Sequence, residues 1–290
     1  MLKVKRFKWW LWALIFSASS TAKDIVRYNI SEKHPDNKQS YYVALLDLAM
    51  KKSQAKYGDY ILEPVVIEMA QGRTSIMVQL NQGIDITWRV SSQELEKRLK
   101  AVYIPLLKGL MGHRIFIIKR ENQEKYNQSM SYEDLQRYTA GQGYDWPDSI
   151  ILQHNGINVM EGGSVNLLNM LSKERFDFYP RALFEPWQEI EQWPNLSVEQ
   201  HVLLRYPSPF YFFVNIENER LHQRLTFGLE QAIEDGSFDQ LFYSHPITSQ
   251  AMALAKIHQR KVFIFHNPIL SVESQILLKD PKYWIKLTQR

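Results

Sequence analysis

The sequence predicts a layered α/β fold with mostly parallel strands, and three observations carry that prediction. Short β-branched segments alternate along the chain with segments whose apolar residues recur at helical spacing. Gly, Pro, Asn and Ser mark the junctions between them. The composition is globular, with 45% hydrophobic, 13% aromatic and 23% charged residues, which excludes a disordered chain, a collagen and a polytopic membrane protein. A length of 290 residues admits one large domain or two lobes of ordinary size.

Residues 24–30 (DIVRYNI) alternate and read as a strand, followed by a polar loop over 31–40. Residues 41–56 have helical spacing and a basic end, closed by Gly58. A strand over 60–69, a short helix over 72–82 stopped by Gly83, and a strand over 84–90 follow. Residues 91–99 read as a helix starting on a Ser cap. Short strands are expected over 102–106 and 114–119, and a helix over 132–138. Residues 139–148 (TAGQGYDWPD) read as a loop rich in Gly and aromatics. A helix beginning at Ser149, a strand over 157–160, a helix over 164–174 and a strand over 176–180 come next. Residues 202–215 are apolar and interrupted by two prolines, 217–234 read as a helix, and 247–290 are basic with a strand-like VFIF over 262–265. No internal repeat or low-complexity tract is present.

Residues 1–22 read as a secretory signal peptide. A basic start holding Lys3, Lys5, Arg6 and Lys8 precedes an apolar run of eight residues over 9–16, far short of the about 20 needed to span a bilayer. Ser20-Thr21-Ala22 puts small residues where a signal peptidase reads, so cleavage is expected after Ala22 and the compartment is the periplasm. An uncleaved anchor is the alternative. The formal charge of +4 arises from that leader, since the remaining 31 basic residues balance 31 acids, so the basic pI gives no argument for nucleic acid. With no cysteine, there is neither a disulfide framework nor a thiol to carry a lipid, and the mature chain stands on its core.

Several motifs together carry a family resemblance. Gly83-Ile84-Asp85-Ile86, then Ser91-Ser92-Gln93-Glu94 and Pro105, resemble the stretch after the third strand of periplasmic solute-binding proteins of the amino-acid type. Residues 131–135 (SYEDL) resemble that family's domain-entry helix, Arg175-Phe176-Asp177-Phe178 its Gly-Arg-hydrophobic-Asp, and residues 221–242 its closing helix with Glu234-Asp235-Gly236 and Phe238. The resemblance implies the type 2 periplasmic-binding-protein fold: two α/β lobes joined by two crossover strands, near residues 111–118 and 205–214, with a ligand in the cleft between them. Lobe one would comprise 23–112 and 213–290, with an extension beyond the resemblance from about residue 247, and lobe two 113–212. The chain departs from the family at both amino-acid anchors. Leu95 stands where the carboxylate-gripping Arg is expected, with Arg98 three residues on. Tyr179-Pro180-Arg181-Ala182 puts a base where the acid for the α-amino group is expected.

Four groups of residues are candidates for ligand contact. Trp88 and Arg89 end the strand over 84–90, with Trp88 sharing a face with Ile84 and Ile86 and Arg89 on the other. A guanidinium holds a carboxylate or phosphate by paired bonds and an indole stacks on flat ligands; the alternative is an ion-paired Arg89 and a core Trp88. Gly141, Gln142, Gly143, Tyr144, Asp145 and Trp146 could present backbone amides to an anion, or form an ordinary turn with Trp146 packed as a lid on its own lobe. Tyr179 and Arg181 follow a strand on the second lobe, where Arg181 would give that lobe a base to match Arg89; a bridge from Arg181 to Glu185, four residues on, is the alternative. Tyr41 and Tyr42 stack on a ligand or anchor their helix, and His34 lies in the loop before them.

No His or Cys pattern for a metal and no nucleophile elbow occurs, so no metal and no cofactor are expected. The reading is a monomeric periplasmic protein that captures a small solute, with carboxylate or phosphate as candidate chemistry, by hinge closure. It would present that solute to an ABC-type membrane permease or a sensor. Two alternatives stand beside it: a cleft enzyme of the same fold, similar to cyclohexadienyl dehydratase and using Glu185 or Asp145, and a module that has lost its ligand and presents a surface to a partner.

Overall fold

The computed structural model describes residues 23–31, 38–69 and 71–285. The expected signal peptide and His34 lie outside the described residues. In chain order the elements are β1 (Asp24–Ile30), α1 (Gln39–Tyr57), β2 (Tyr60–Val66), α2 (Gln71–Gln79), β3 (Ile86–Val90), α3 (Gln93–Arg98), β4 (Leu99–Val102) and β5 (His113–Lys119). Then come α4 (Tyr132–Gln136), β6 (Thr139–Gly143), α5 (Asp148–His154), β7 (Asn158–Gly162), α6 (Leu167–Ser172), β8 (Tyr179–Ala182), α7 (Pro186–Glu189) and β9 (Leu196–Val198). The chain ends with β10 (Val202–Arg205), β11 (Phe210–Asn215), α8 (Glu219–Glu234), α9 (Ser237–Ser244), α10 (Pro246–Ala255), β12 (Lys261–Ile264) and α11 (Val272–Leu277).

Two sheets result. The first runs β2-β1-β3-β11-β4, with β1, β2 and β3 parallel and β11 antiparallel to both its neighbours. The apolar stripes of α1 and α8 cover one face, placing Leu45, Leu46, Ala49, Leu225 and Leu229 against Val26, Ile86, Phe212 and Val214. The helices cross closely at Gly228, where a Cβ would stand 1.9 Å from the carbonyl oxygen of Ala49. Arg224, fully buried on the same helix, bonds Ser53 on α1, the Gly58 carbonyl and Asp24 at the start of β1, so the helix end and strand start are tied to one guanidinium. On the opposite face Val78, Leu95 and Leu99 meet Tyr211 and Phe213.

In the second sheet β5 lies between β8 and β10, antiparallel to both, and also pairs with β9. The parallel pair β6–β7 joins it through Gly141, whose N–H donates to Phe178 O at 2.9 Å. The expected loop over 139–148 is therefore corrected: its first half is the strand β6. Its glycines serve packing, since a Cβ on Gly141 would stand 2.2 Å from the Phe176 ring and one on Gly143 2.4 Å from the Trp146 ring.

The main chain passes between the sheets after β4 and returns after β10. The two passages lie side by side, with Tyr206 N donating to Gly112 O at 3.0 Å. The first core continues across this junction through Leu106, Leu110, Ile115, Leu183 and Leu203. Past His245, α10 packs on the first core as expected, and β12 departs from its expected place with the first sheet. β10 has a free edge, and β12 adds to it in parallel, burying Phe263 and Phe265 in the second core. The chain then recrosses: Gln93 N donates to Ile269 O at 3.0 Å, Trp284 lies against Gly109, and Ile285 N donates to Lys108 O at 2.9 Å. Among the described residues no helix is long and apolar enough to cross a membrane.

Replacing Gly228 with Ala is expected to destabilise the fold by about 1–3 kcal/mol in urea unfolding, because the methyl displaces the α1 backbone. An unstrained helix site would instead gain roughly 1 kcal/mol from the same change.

Candidate functional site

Because β1, β2 and β3 run in parallel, their carboxyl ends share one edge, from which α1 and α2 begin. The carboxyl ends of β6, β7 and β8 form the matching edge of the second sheet, with α5 following β6. The two edges face each other. Lys38, immediately before α1, places Nζ 3.0 Å from Oε1 of Glu185, three residues past β8.

Glu185 is the centre of a buried charge network. Its Oε1 also meets Arg181 at 3.0 Å, and its Oε2 lies 3.6 Å from Arg114 and accepts from Ala182 N at 2.8 Å. Arg114 opens β5 and meets Asp148 at 2.7 Å and Tyr206 Oη at 3.0 Å, while Tyr206 donates to Asp148. Arg181 is held by Glu189 through two parallel bonds of 2.8 and 2.6 Å. Lys38, Arg114 and Arg181 thus face Asp148, Glu185 and Glu189, and the charges balance. Burial alone would raise the Glu185 carboxyl, but Arg181, Lys38 and Arg114 outweigh it and hold the group down to about 2. At the first crossover His113 donates from Nδ1 to Gly109 O at 3.1 Å. Its burial, reinforced by Arg205 and Arg114, lowers the imidazole to about 4, so it stays neutral.

The structure brings some of the sequence candidates together and turns several of them inward. Arg181, Tyr179 and Trp146 form one stack, the guanidinium lying 4.8 Å from the Tyr179 ring and 5.0 Å from that of Trp146. The two acids and two rings commit Arg181 to its own lobe, including the Glu185 bridge that the four-residue spacing allowed. Trp146 covers Gly143 as a lid on that lobe. Gly141 and Gly143 are strand residues, Tyr144 is exposed at the turn, and Gln142 is buried with Oε1 lacking a hydrogen-bond partner among the described residues. Tyr41 is fully buried and donates to Leu106 O at 2.7 Å, an anchor for α1.

Arg89 and Trp88 remain at the edge. Trp88 is half-buried among Tyr28, Tyr42 and Phe212, with centroids 6.1, 5.6 and 6.1 Å away. Tyr42, itself buried, stacks on Phe210 at 5.0 Å, so Trp88 closes an aromatic cluster of the first core, as its core alternative allowed. Arg89 points to the other face, where its Nε donates to Ser75 Oγ in α2 at 3.2 Å. No carboxylate pairs with it among the described residues, and burial lowers its guanidinium to about 10. It is a base with bidentate capacity to spare. Sequence reasoning missed Lys38, Arg114, Asp148 and Tyr206. A charged residue opening the otherwise apolar run of β5 was the available signal for Arg114. Among the described residues no cluster of three metal-ligating side chains occurs.

No family model matches the chain, and no curated protein matches it. Solved structures share its fold. A probable amino-acid ABC transporter extracellular-binding protein from Bacillus subtilis is 15% identical, with a TM-score of 0.56 over 79% of this chain and 100% of that one. A Salmonella typhimurium periplasmic binding protein of high arginine specificity is 12% identical, with a TM-score of 0.56 over 75% and 97%. An ancestral amino-acid-binding protein described as a precursor of cyclohexadienyl dehydratase is 12% identical, with a TM-score of 0.53 over 75% and 93%. The chain therefore has the two-lobed fold of periplasmic binding proteins.

Replacing Glu185 with Gln leaves the surrounding cations short of one charge and is expected to cost about 3–5 kcal/mol, read by urea unfolding at pH 7. The acid response has two windows. His113 binds a proton near 6.5 when unfolded but only near 4 when folded, so acid favours the unfolded chain and stability falls as pH drops from 6.5 to 4. Glu185 adds a second loss as pH drops from its ordinary 4.5 towards 2, where the folded carboxylate finally protonates. Urea midpoints measured from pH 7 to 3 should show both, and His113→Asn should flatten the first.

Proposed function

We propose that this is a secreted solute-binding protein that closes its two lobes on a small anion, with Arg89 as the anchor. One observation carries the reading: Arg89 is a partly enclosed guanidinium at the carboxyl edge of the first sheet, and among the described residues no acid neutralises it. A desolvated, unpaired guanidinium is costly in the empty protein and becomes favourable when a carboxylate or phosphate accepts its two parallel bonds. Likeness in fold to amino-acid-binding proteins of ABC transporters supports capture for a permease, and the same closed form would serve a sensor. The leader-like start of the sequence supports the periplasm as the place of action.

The enzymatic reading is less well supported. Glu185 is held ionised by three cations, so it has no proton to donate, and Asp145 is exposed at a turn. A module that presents only a surface leaves Arg89, which no carboxylate pairs among the described residues, without a purpose.

The test is thermal unfolding of protein beginning at Lys23 against pools of di- and tricarboxylates, sugar phosphates, cyclic acids and amino acids. A ligand at 100 times its Kd adds about 2.7 kcal/mol, a rise of several degrees. An anionic pool should give that rise and Arg89→Met should abolish it; a flat response to every pool contradicts the reading.

A further inference from the structure

The two lobes meet through an ammonium on one and a carboxylate on the other. Among the described residues Lys38 is the one cation of the Glu185 network that comes from the first lobe, while Arg114 and Arg181 lie in the second sheet with Glu185 itself. Both partners are enclosed, the side chains being 22% and 8% exposed. Lys38 is therefore the member that must leave when the lobes part.

An amino-acid ligand brings a carboxylate and an ammonium into a closing cleft. Each needs a counter-charge there, because an unpaired charge out of water is expensive. Arg89 provides for the carboxylate. For the ammonium, the buried acids of the facing edge are already taken: Asp148 by Arg114 and Tyr206, Glu189 by Arg181, and Glu185 by three cations. Glu68 and Glu161 are exposed, where an ion pair is worth little. A lysine ammonium offers three donors on a compact charge, the same chemistry as a ligand's amino group.

We infer that Lys38 is the chain's own substitute for a ligand ammonium, latching the lobes through Glu185 and restricting the cleft at Arg89 to carboxylates without an amino group. The selectivity rests on the solute-binding reading above; the latch does not. Lys38→Ala still leaves Glu185 with Arg114 and Arg181, so the variant is expected to fold.

The experiment is calorimetric titration of the wild type, Lys38→Ala and Arg89→Met with three matched pairs: L-phenylalanine and 3-phenylpropanoate, L-glutamate and glutarate, L-arginine and 5-guanidinopentanoate. For at least one pair the wild type should bind the amine-free member at least tenfold more tightly. Lys38→Ala should reduce that preference at least tenfold by strengthening the amino acid, and Arg89→Met should remove both. Preference of the wild type for the amino acids, or an unchanged preference in Lys38→Ala, overturns the selectivity. The latch has its own readout, because the chain has no cysteine and accepts spin labels cleanly at the exposed positions Gln79 and Lys173. Without any ligand, Lys38→Ala should lengthen and broaden the distance between labels, and an unchanged distribution overturns the latch. Widening of the lobes with no binding of any pair retains the latch and defeats the solute reading.

Discussion

The structure turns on the carboxylate of Glu185. It sits where the two sheets approach, accepts one cation from the opposite lobe and two from its own, and is capped by the Ala182 amide. Buried ion pairs of this kind contribute little net stability, since desolvation offsets their attraction. What they impose is geometry. Arg114 can meet Asp148, Tyr206 and Glu185 together only if β5, α5 and the end of β10 arrive at one point. The network thus fixes how the crossovers, the second sheet and the start of α1 stand relative to one another.

The extension past His245 supplements that constraint from the outside. Its strand β12 belongs to the second sheet, while its later residues bond α3 and the first crossover. A rotation of the lobes would have to carry this strap along with the two crossovers. The first core's continuation through Leu106, Leu110 and Leu203 acts in the same direction. The protein is arranged so that the lobes rest together, with charge pairing and packing both favouring contact.

Much of the fold was legible in the sequence because strand and helix differ in the period of their apolar residues. DIVRYNI and the stripe of α1 are local signals, and they landed within a few residues. What was not legible depended on partners distant in the chain. β6 reads as a loop because glycine normally breaks strands; the reason it does not is the rings of Phe176 and Trp146 lying across it. β12 is legible as a strand in VFIF, but its place in the second sheet depends on the free edge of β10. The site divides in the same way. Alternation along β3 separates Arg89 from Trp88, and among the described residues no carboxylate pairs with it. Arg181 looks equivalent in sequence, and only three-dimensional proximity shows Glu189 and two rings claiming it. Lys38 gave no signal at all, because its significance depends on a residue 147 positions away.

In the proposed function Arg89 holds an anion between the lobes. The most direct measurement is mass spectrometry of whatever small molecule leaves the natively purified protein on denaturation, for the wild type beside Arg89→Met. A carboxylate or phosphate should be released from the wild type and be missing from the variant. A neutral or cationic solute, or equal occupancy of both proteins, would contradict it.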